Sequence, residues 1–161
     1  MTMDDQAKSD LLHKLPYGLY VLTSQDGDER GGMLVTWVMQ ASFDPPLLAV
    51  AVQNTAHTTA VMRKSGAFAL NFMDDDQRKE AGAFGKKYAK VGDKFADFPH
   101  HAGAATGSPM LETALGCLEC RITGWLAGGD HDIAVAEIVD AQLSRDAALM
   151  TTASSGMSYA G

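Results

Sequence analysis

Short β-forming runs make up most of this chain, and only two stretches between them carry a helical pattern. Residues 18–24 (GLYVLTS) and 33–41 (MLVTWVMQA) are rich in the β-branched and aromatic residues that suit a pleated surface. Residues 47–53 (LLAVAVQ) are apolar on both faces, which predicts a buried strand. Residues 67–72, 115–126 and 133–143 read as three more strands. Between them, 58–64 reads as a short helix. Residues 74–88 read as a second helix, its acidic first turn and basic last turn suiting the helix dipole. A doubly wound parallel sheet needs a helix after nearly every strand. This order instead predicts a mostly β, mostly antiparallel barrel with a few short helices inserted.

The punctuation sets the organisation. Asp26-Gly27 followed by Gly31-Gly32 predicts a turn, and Asp44-Pro45-Pro46 ends a strand because proline cannot donate to a ladder. Residues 89–110, with Gly92, Pro99, Gly103, Gly107 and Pro109, predict a long loop with room for a short helix. Loops of that length commonly serve as lids or partner contacts. Gly128-Gly129-Asp130-His131 joins two late strands, and 150–159 reads as a final strand or tail. At 161 residues the chain is one domain, read as a frayed or helical lead-in over 1–12 and the domain proper over 13–161.

Charge narrows the partners. The net charge is −7 and no basic stripe occurs, so neither a nucleic acid nor an anionic membrane surface is an expected partner. The longest apolar stretch, around 45–52, is far short of the roughly 20 residues a membrane helix needs. The acidic start lacks the features of a signal peptide, and two cysteines make no disulfide framework, so the expected location is cytoplasmic.

Most of the conspicuous motifs read as structural. Cys117 and Cys120 have the spacing of a metal or redox pair, but positions three apart on a strand face opposite ways and no second pair completes a site. His100-His101 reads as a solvated loop, and Asp74-Asp75-Asp76 as a helix start. Neither a dinucleotide Gly-x-Gly-x-x-Gly, a phosphate loop nor a Gly-x-Ser-x-Gly elbow is present. No metal site and no catalytic nucleophile are expected. The informative stretch is 32–46, GMLVTWVMQASFDPP, in which Thr36, Gln40 and Ser42 fall on alternating positions of an otherwise apolar strand. Polar groups so placed need partners, either backbone or the polar edge of a ligand.

At this stretch the chain resembles the flavin reductase-like family, whose fold is an antiparallel Greek-key split β-barrel that binds FMN. The resemblance rests on Gly32-Met33, Thr36-Trp37-Val38 and Gln40-Ala41-Ser42-Phe43-Asp44-Pro45-Pro46-Leu47. It continues through Ser65-Gly66, Phe68 to Asn71, Gly107-Ser108-Pro109, Cys120 and Gly129-Asp130-His131, and spans nearly all of 10–159. The chain is similar in particular to the domain of this family in diflavin flavodiiron proteins and to flavoredoxins.

The resemblance implies a flavin site formed by Thr36, Trp37, Val38, Gln40, Ala41 and Ser42 along the ring and ribityl chain. It places the phosphate at the turn holding Gln53, Asn54, His57 and Thr58, where a helix beginning near Thr58 offers free N–H groups. Relatives often carry Lys or Arg in that turn, where this chain has His57. Trp37 reads equally as a core residue. The flavin carries the chemistry and no catalytic residue is implied beyond His131, which matches the Gly-Asp-His that lies near the flavin in this family and reads otherwise as a turn histidine; Tyr159 reaches toward the ring through the tail. The implied cofactor is FMN, with FAD an alternative, the implied donor NADH or NADPH, and the implied assembly a homodimer. Three readings remain open: an NAD(P)H:flavin oxidoreductase, an electron carrier serving a redox protein partner, and a flavin-binding module without turnover.

Overall fold

The computed structural model describes residues 2–159. It begins with an exposed helix α1 (Asp5–Leu12), capped by Asp4. Then come β1 (Tyr20–Asp26), β2 (Glu29–Val35), β3 (Val38–Ser42), β4 (Leu47–Gln53), α2 (His57–Ser65) and β5 (Ala67–Phe72). The connection that follows holds a 3₁₀ turn, α3 (Arg78–Phe84) and α4 (Tyr88–Val91), then the small hairpin β6 (His100–Ala102) and β7 (Pro109–Leu111). Two long strands, β8 (Gly116–Leu126) and β9 (His131–Leu143), and a last turn α5 (Thr152–Ser155) complete the order. The described residues contain no helix long and apolar enough to cross a membrane.

Seven strands form one antiparallel sheet in the order β2-β1-β5-β8-β9-β4-β3. Its two outermost members, β2 and β3, are consecutive in the chain. The strand that leaves β1 at Val35 joins β4 at Val38, so a continuous segment serves both ends of the sheet and curls it into a split barrel. The inside is filled by Leu22, Val50, Val52, Met62, Phe68, Leu70 and Cys120, and α2 packs against β1 and β2 with Val61 and Met62 buried. A second apolar cluster, Leu19, Val21, Met73, Phe84, Phe95, Phe98 and Met150, packs the helical connection onto the outside.

Several expectations need correction. Residues 33–41 are not one strand: Thr36 and Trp37 form the corner between β2 and β3, and a bulge between Gln40 and Ser42 breaks the alternation. Thr36 and Gln40 therefore do not share a face. Thr36 is buried and Gln40 exposed. The turn after β1 is Asp26-Gly27 alone, with Gly27 at φ +56°. Gly31 and Gly32 lie inside β2, where a Cβ would come within 2.7 Å of the Thr58 backbone and 2.5 Å of the Phe84 ring. They are glycines because α2 and Phe84 press against that strand. Residues 74–88 are broken after Phe84, since Gly85 to Lys87 leave the helical path before α4. The loop over 89–110 contains a hairpin. His100 is half-buried within it, bonding Phe98 O through Nδ1 (2.8 Å) and Arg30 Nη1 through Nε2 (3.0 Å). Cys117 and Cys120 are buried in different apolar clusters, and burial pushes both thiols up to about 12, which suits neither nucleophile nor ligand.

Candidate functional site

The barrel's corner forms one wall of a cleft of about 830 Å³, within the range of small-molecule sites. At the corner both backbone carbonyls are engaged: Thr36 O accepts from Val38 N–H (3.1 Å) and Trp37 O from Ala51 N–H (3.0 Å). The side chains are not. Thr36 Oγ1 and Trp37 Nε1 are buried and have no hydrogen-bond partner among the described residues. A hydroxyl and an indole N–H withheld from water without a partner cost on the order of 1–3 kcal/mol each. Polar atoms left in that condition on a cleft wall suit a polar ligand edge.

One end of the cleft is cationic. Lys86, Lys87, Lys94 and His57 line it, and no Asp or Glu is among the described lining residues, although the chain carries a net −7. α2 begins here. Its N-cap is Ala56, which offers no side-chain bond, so the first N–H groups of the helix lack a capping acceptor. His57 donates through Nε2 to Arg30 O (3.1 Å) and lies flat on Tyr88, ring centroids 3.7 Å apart. Lys94 Nζ donates to Gly32 O (3.0 Å) and Phe84 O (2.9 Å), and burial lowers its pKa to about 8. A helix N-terminus beside three lysines is a site for an anion such as a phosphate.

The other end is aromatic. Trp37 rests against His131 and Tyr159, at centroid distances of 4.7 and 5.2 Å. His131 bonds Asp130 Oδ1 through Nδ1 (2.7 Å) and the Tyr159 hydroxyl through Nε2 (2.9 Å). The hydrogen bond from His131 holds Asp130 below the usual carboxylate range, and burial, with Asp130's charge, raises Tyr159. Asn54 ties this turn down, its backbone N–H on Asp130 O (3.0 Å) and its amide on Gly129 O (3.1 Å).

Of the residues singled out from sequence, Thr36, Trp37, Gln53, His57, Thr58, His131 and Tyr159 line this cleft. Asn54 stands behind it, and Val38 packs against the barrel core. Gln40 and Ala41 are exposed and Ser42 half-buried on β3, outside the cleft. Sequence reading missed Lys86, Lys87, Tyr88 and Lys94. The length of the 89–110 loop was the available signal, but no spacing connects Lys94 to Gly32, a contact made across 62 residues.

The model for the flavin reductase like domain matches residues 12–158. Diflavin flavoprotein A 1 of Synechocystis sp. is 33% identical over 129 residues, 80% of this chain and 22% of that protein. The chain thus spans about a quarter or less of the curated relative's length. Among solved structures, the NADH:FAD oxidoreductase of Streptomyces globisporus C-1027 superposes with a TM-score of 0.79 at 27% identity, covering 89% of this chain and 86% of that one. Flavoredoxin from Methanosarcina acetivorans shares the fold, with a TM-score of 0.78 at 23% identity over 89% of this chain and 75% of that one.

Proposed function

The chain belongs to the flavin reductase-like family, and from that premise we propose that it is an FMN-binding oxidoreductase that exchanges hydride with NADH or NADPH. The observation that carries the reading is the pair of unpartnered polar atoms, Thr36 Oγ1 and Trp37 Nε1, on the wall of an acid-free cleft. Bound there, FMN supplies the two-electron chemistry, and the protein supplies position and electrostatics. Trp37 Nε1–H and the Thr36 hydroxyl offer bonds to the polar edge of the ring system. The N–H groups opening α2, with Thr58, His57, Lys86, Lys87 and Lys94, hold the phosphate. Preoriented donors of this kind stabilise the negative charge that reduction brings. Gln53 and Asn54 shape the turn between the two ends, and FAD fits the same groups with its adenylate at the open mouth.

The unit that does this is the domain over 13–161, in the cytoplasm, acting as a homodimer. β3 is an unpaired edge with Met39 64% and Phe43 91% exposed, which pairing with a second copy would cover. Gln40, Ala41 and Ser42, on that strand, then lie where two copies meet, and Val38 supports them from the core. A second reading, an electron carrier serving a protein partner, draws on the likeness to a domain-sized part of a diflavin flavoprotein.

The test is the visible spectrum of the purified protein under anaerobic conditions, with NADH and NADPH added separately. Prompt bleaching of a flavin band supports the reductase. A band that persists with both donors moves the conclusion to the carrier. Failure to take up added FMN ends the flavin reading.

A further inference from the structure

Hydride exchange between a nicotinamide and a flavin asks for no protein acid, because the cofactors carry the chemistry. The aromatic end of the cleft nevertheless holds a hydrogen-bonded chain of three titratable groups that this exchange leaves unused. Asp130 accepts from His131 Nδ1–H, which makes Nε2 the acceptor for the Tyr159 hydroxyl. The chain runs from solvent through a nearly covered imidazole to a phenol on the cleft, with Tyr159 49% exposed. The side chain of Asp130 is 88% exposed and that of His131 12%, while the Tyr159 phenol lines the cleft beside Trp37. The tail that carries Tyr159 is anchored. Thr151 and Ser154 form a reciprocal cap, Arg78 donates to Ser154 O (2.7 Å) and Ser155 O (2.9 Å), and Met157 packs on the outer apolar cluster.

We infer that Asp130, His131 and Tyr159 form a proton relay, with Tyr159 the proton donor to a planar, quinone-type electron acceptor that enters the cleft beside Trp37. The inference rests on the flavin reading, since reduced flavin is the source of the electrons. The aromatic corner of Trp37 and Tyr159 recognises a flat organic molecule, which dioxygen would not need. A quinone accepts two electrons and two protons. It takes a hydride equivalent from reduced flavin, which returns to the oxidised form, and a proton on its second oxygen from Tyr159 Oη–H. The relay acts from the imidazolium form of His131, charged from solvent, in which Nε2–H donates to Tyr159 Oη and turns the phenolic proton toward the cleft. As the phenol gives up that proton it takes the one on Nε2, and the neutral imidazole left behind regains a proton from solvent. Asp130 stabilises the imidazolium throughout, and is a positioning residue rather than a donor.

Few other charges act on the relay. Asp132, next in sequence to His131, is paired with Arg63 of α2 (2.5 Å). The β4 partner opposite His131 is Gln53, which is uncharged. His57, Lys86, Lys87 and Lys94 line the same cleft at its cationic end.

The test starts from protein whose FMN has been reduced chemically, so that the nicotinamide step drops out, and follows its reoxidation by duroquinone without oxygen. Wild-type protein is expected to reoxidise promptly with a solvent deuterium isotope effect. Tyr159→Phe keeps the ring and removes the proton. It should slow the step by at least about tenfold, toward the roughly 10²-fold typical of a lost general acid, and abolish the isotope effect. Asp130→Asn should slow it less and shift the pH profile to lower pH. Protein NMR gives a readout apart from turnover: the hydrogen-bonded His131 Nδ1–H resonance should be lost or moved in Asp130→Asn, and should move in Tyr159→Phe.

Equal rates and isotope effects in wild type and Tyr159→Phe overturn the relay, as does a His131 Nδ1–H resonance indifferent to both substitutions. Flavin that binds and bleaches with NAD(P)H but is not reoxidised by duroquinone overturns the relay and leaves the flavin reading standing. Failure to bind FMN at all ends both.

Discussion

Two buried polar regions of this barrel are treated in opposite ways. Behind β5 and β8, Asn71 and Glu119 are 0% and 2% exposed, and both are satisfied. Asn71 Nδ2 donates to Val21 O (3.0 Å) and Thr23 Oγ1 (3.2 Å), and Oδ1 accepts from Leu111 N–H (2.7 Å) and Cys117 Sγ (2.9 Å). Glu119 accepts from Ala105 N–H, Thr106 N–H and the Thr106 hydroxyl. Ser108 Oγ is the one hydroxyl of that neighbourhood left without a partner among the described residues. At the corner between β2 and β3, by contrast, both polar side chains are left open on a cleft. A network that only holds the fold closes upon itself, because an unmet buried group destabilises it. One that serves a ligand keeps its donors for the ligand and bears that cost when empty.

Substitutions should therefore behave differently in the two regions. Asn71→Ala leaves Leu111 N–H without its acceptor and removes one of the ties between the 100–111 hairpin and the sheet. The expected loss is about 3 kcal/mol of unfolding free energy in urea, at the upper end for one unsatisfied buried group. Glu119→Gln retains the shape but replaces one acceptor oxygen with an NH2 group that faces the backbone N–H of Ala105 or of Thr106, for an expected loss of about 2 kcal/mol. Trp37→Phe and Thr36→Val should act in the reverse sense. Each removes an unpartnered polar atom, so stability without ligand should hold or rise slightly. FMN affinity should fall by about tenfold, the 1.4 kcal/mol equivalent of one lost hydrogen bond. If either variant instead unfolds more easily and binds FMN as tightly as wild type, the corner belongs with the structural network and the contrast fails.

The sequence made the contrast only partly legible. Strands β4 and β5 could be read to the residue because their apolar runs end at strong breakers, Pro45-Pro46 before one and Gly66 before the other. The corner at Thr36-Trp37 could not. Nothing in MLVTWVMQA interrupts the β pattern, and the chain turns there because β2 pairs with β1 and β3 with β4 at opposite ends of the sheet. Gly31-Gly32 misled for a related reason: close approach of Phe84 and α2, not a turn, excludes side chains there. The cleft residues came through where a family motif covered them, as with Thr36 and His131. The lysines did not, since their role depends on where the helical connection lands, a long-range packing result without a local pattern.

Lys94 offers the finest test of the cleft's purpose. Its ammonium is half-buried, donates to the carbonyls of Gly32 and Phe84 and meets no carboxylate among the described residues, and burial lowers its pKa from 10.5 to about 8. A lysine with a depressed folded pKa carries its penalty while protonated. Between about pH 8 and 10.5 the unfolded chain holds a proton the folded one has released, so stability should rise with pH across that window. Lys94→Met should flatten this component of a urea-denaturation series, which partial exposure keeps small. Ligand binding should run the other way. A phosphate needs the charged form, so FMN affinity should weaken a few-fold as pH rises through about 8, measured by fluorescence quenching. Riboflavin, which has the ring but no phosphate, should bind without that dependence, and FMN should lose it in Lys94→Met. If FMN and riboflavin respond alike to pH in the wild-type protein, the cationic end does not hold the phosphate. Lys94 would then join Asn71 and Glu119 as a group that only secures the fold.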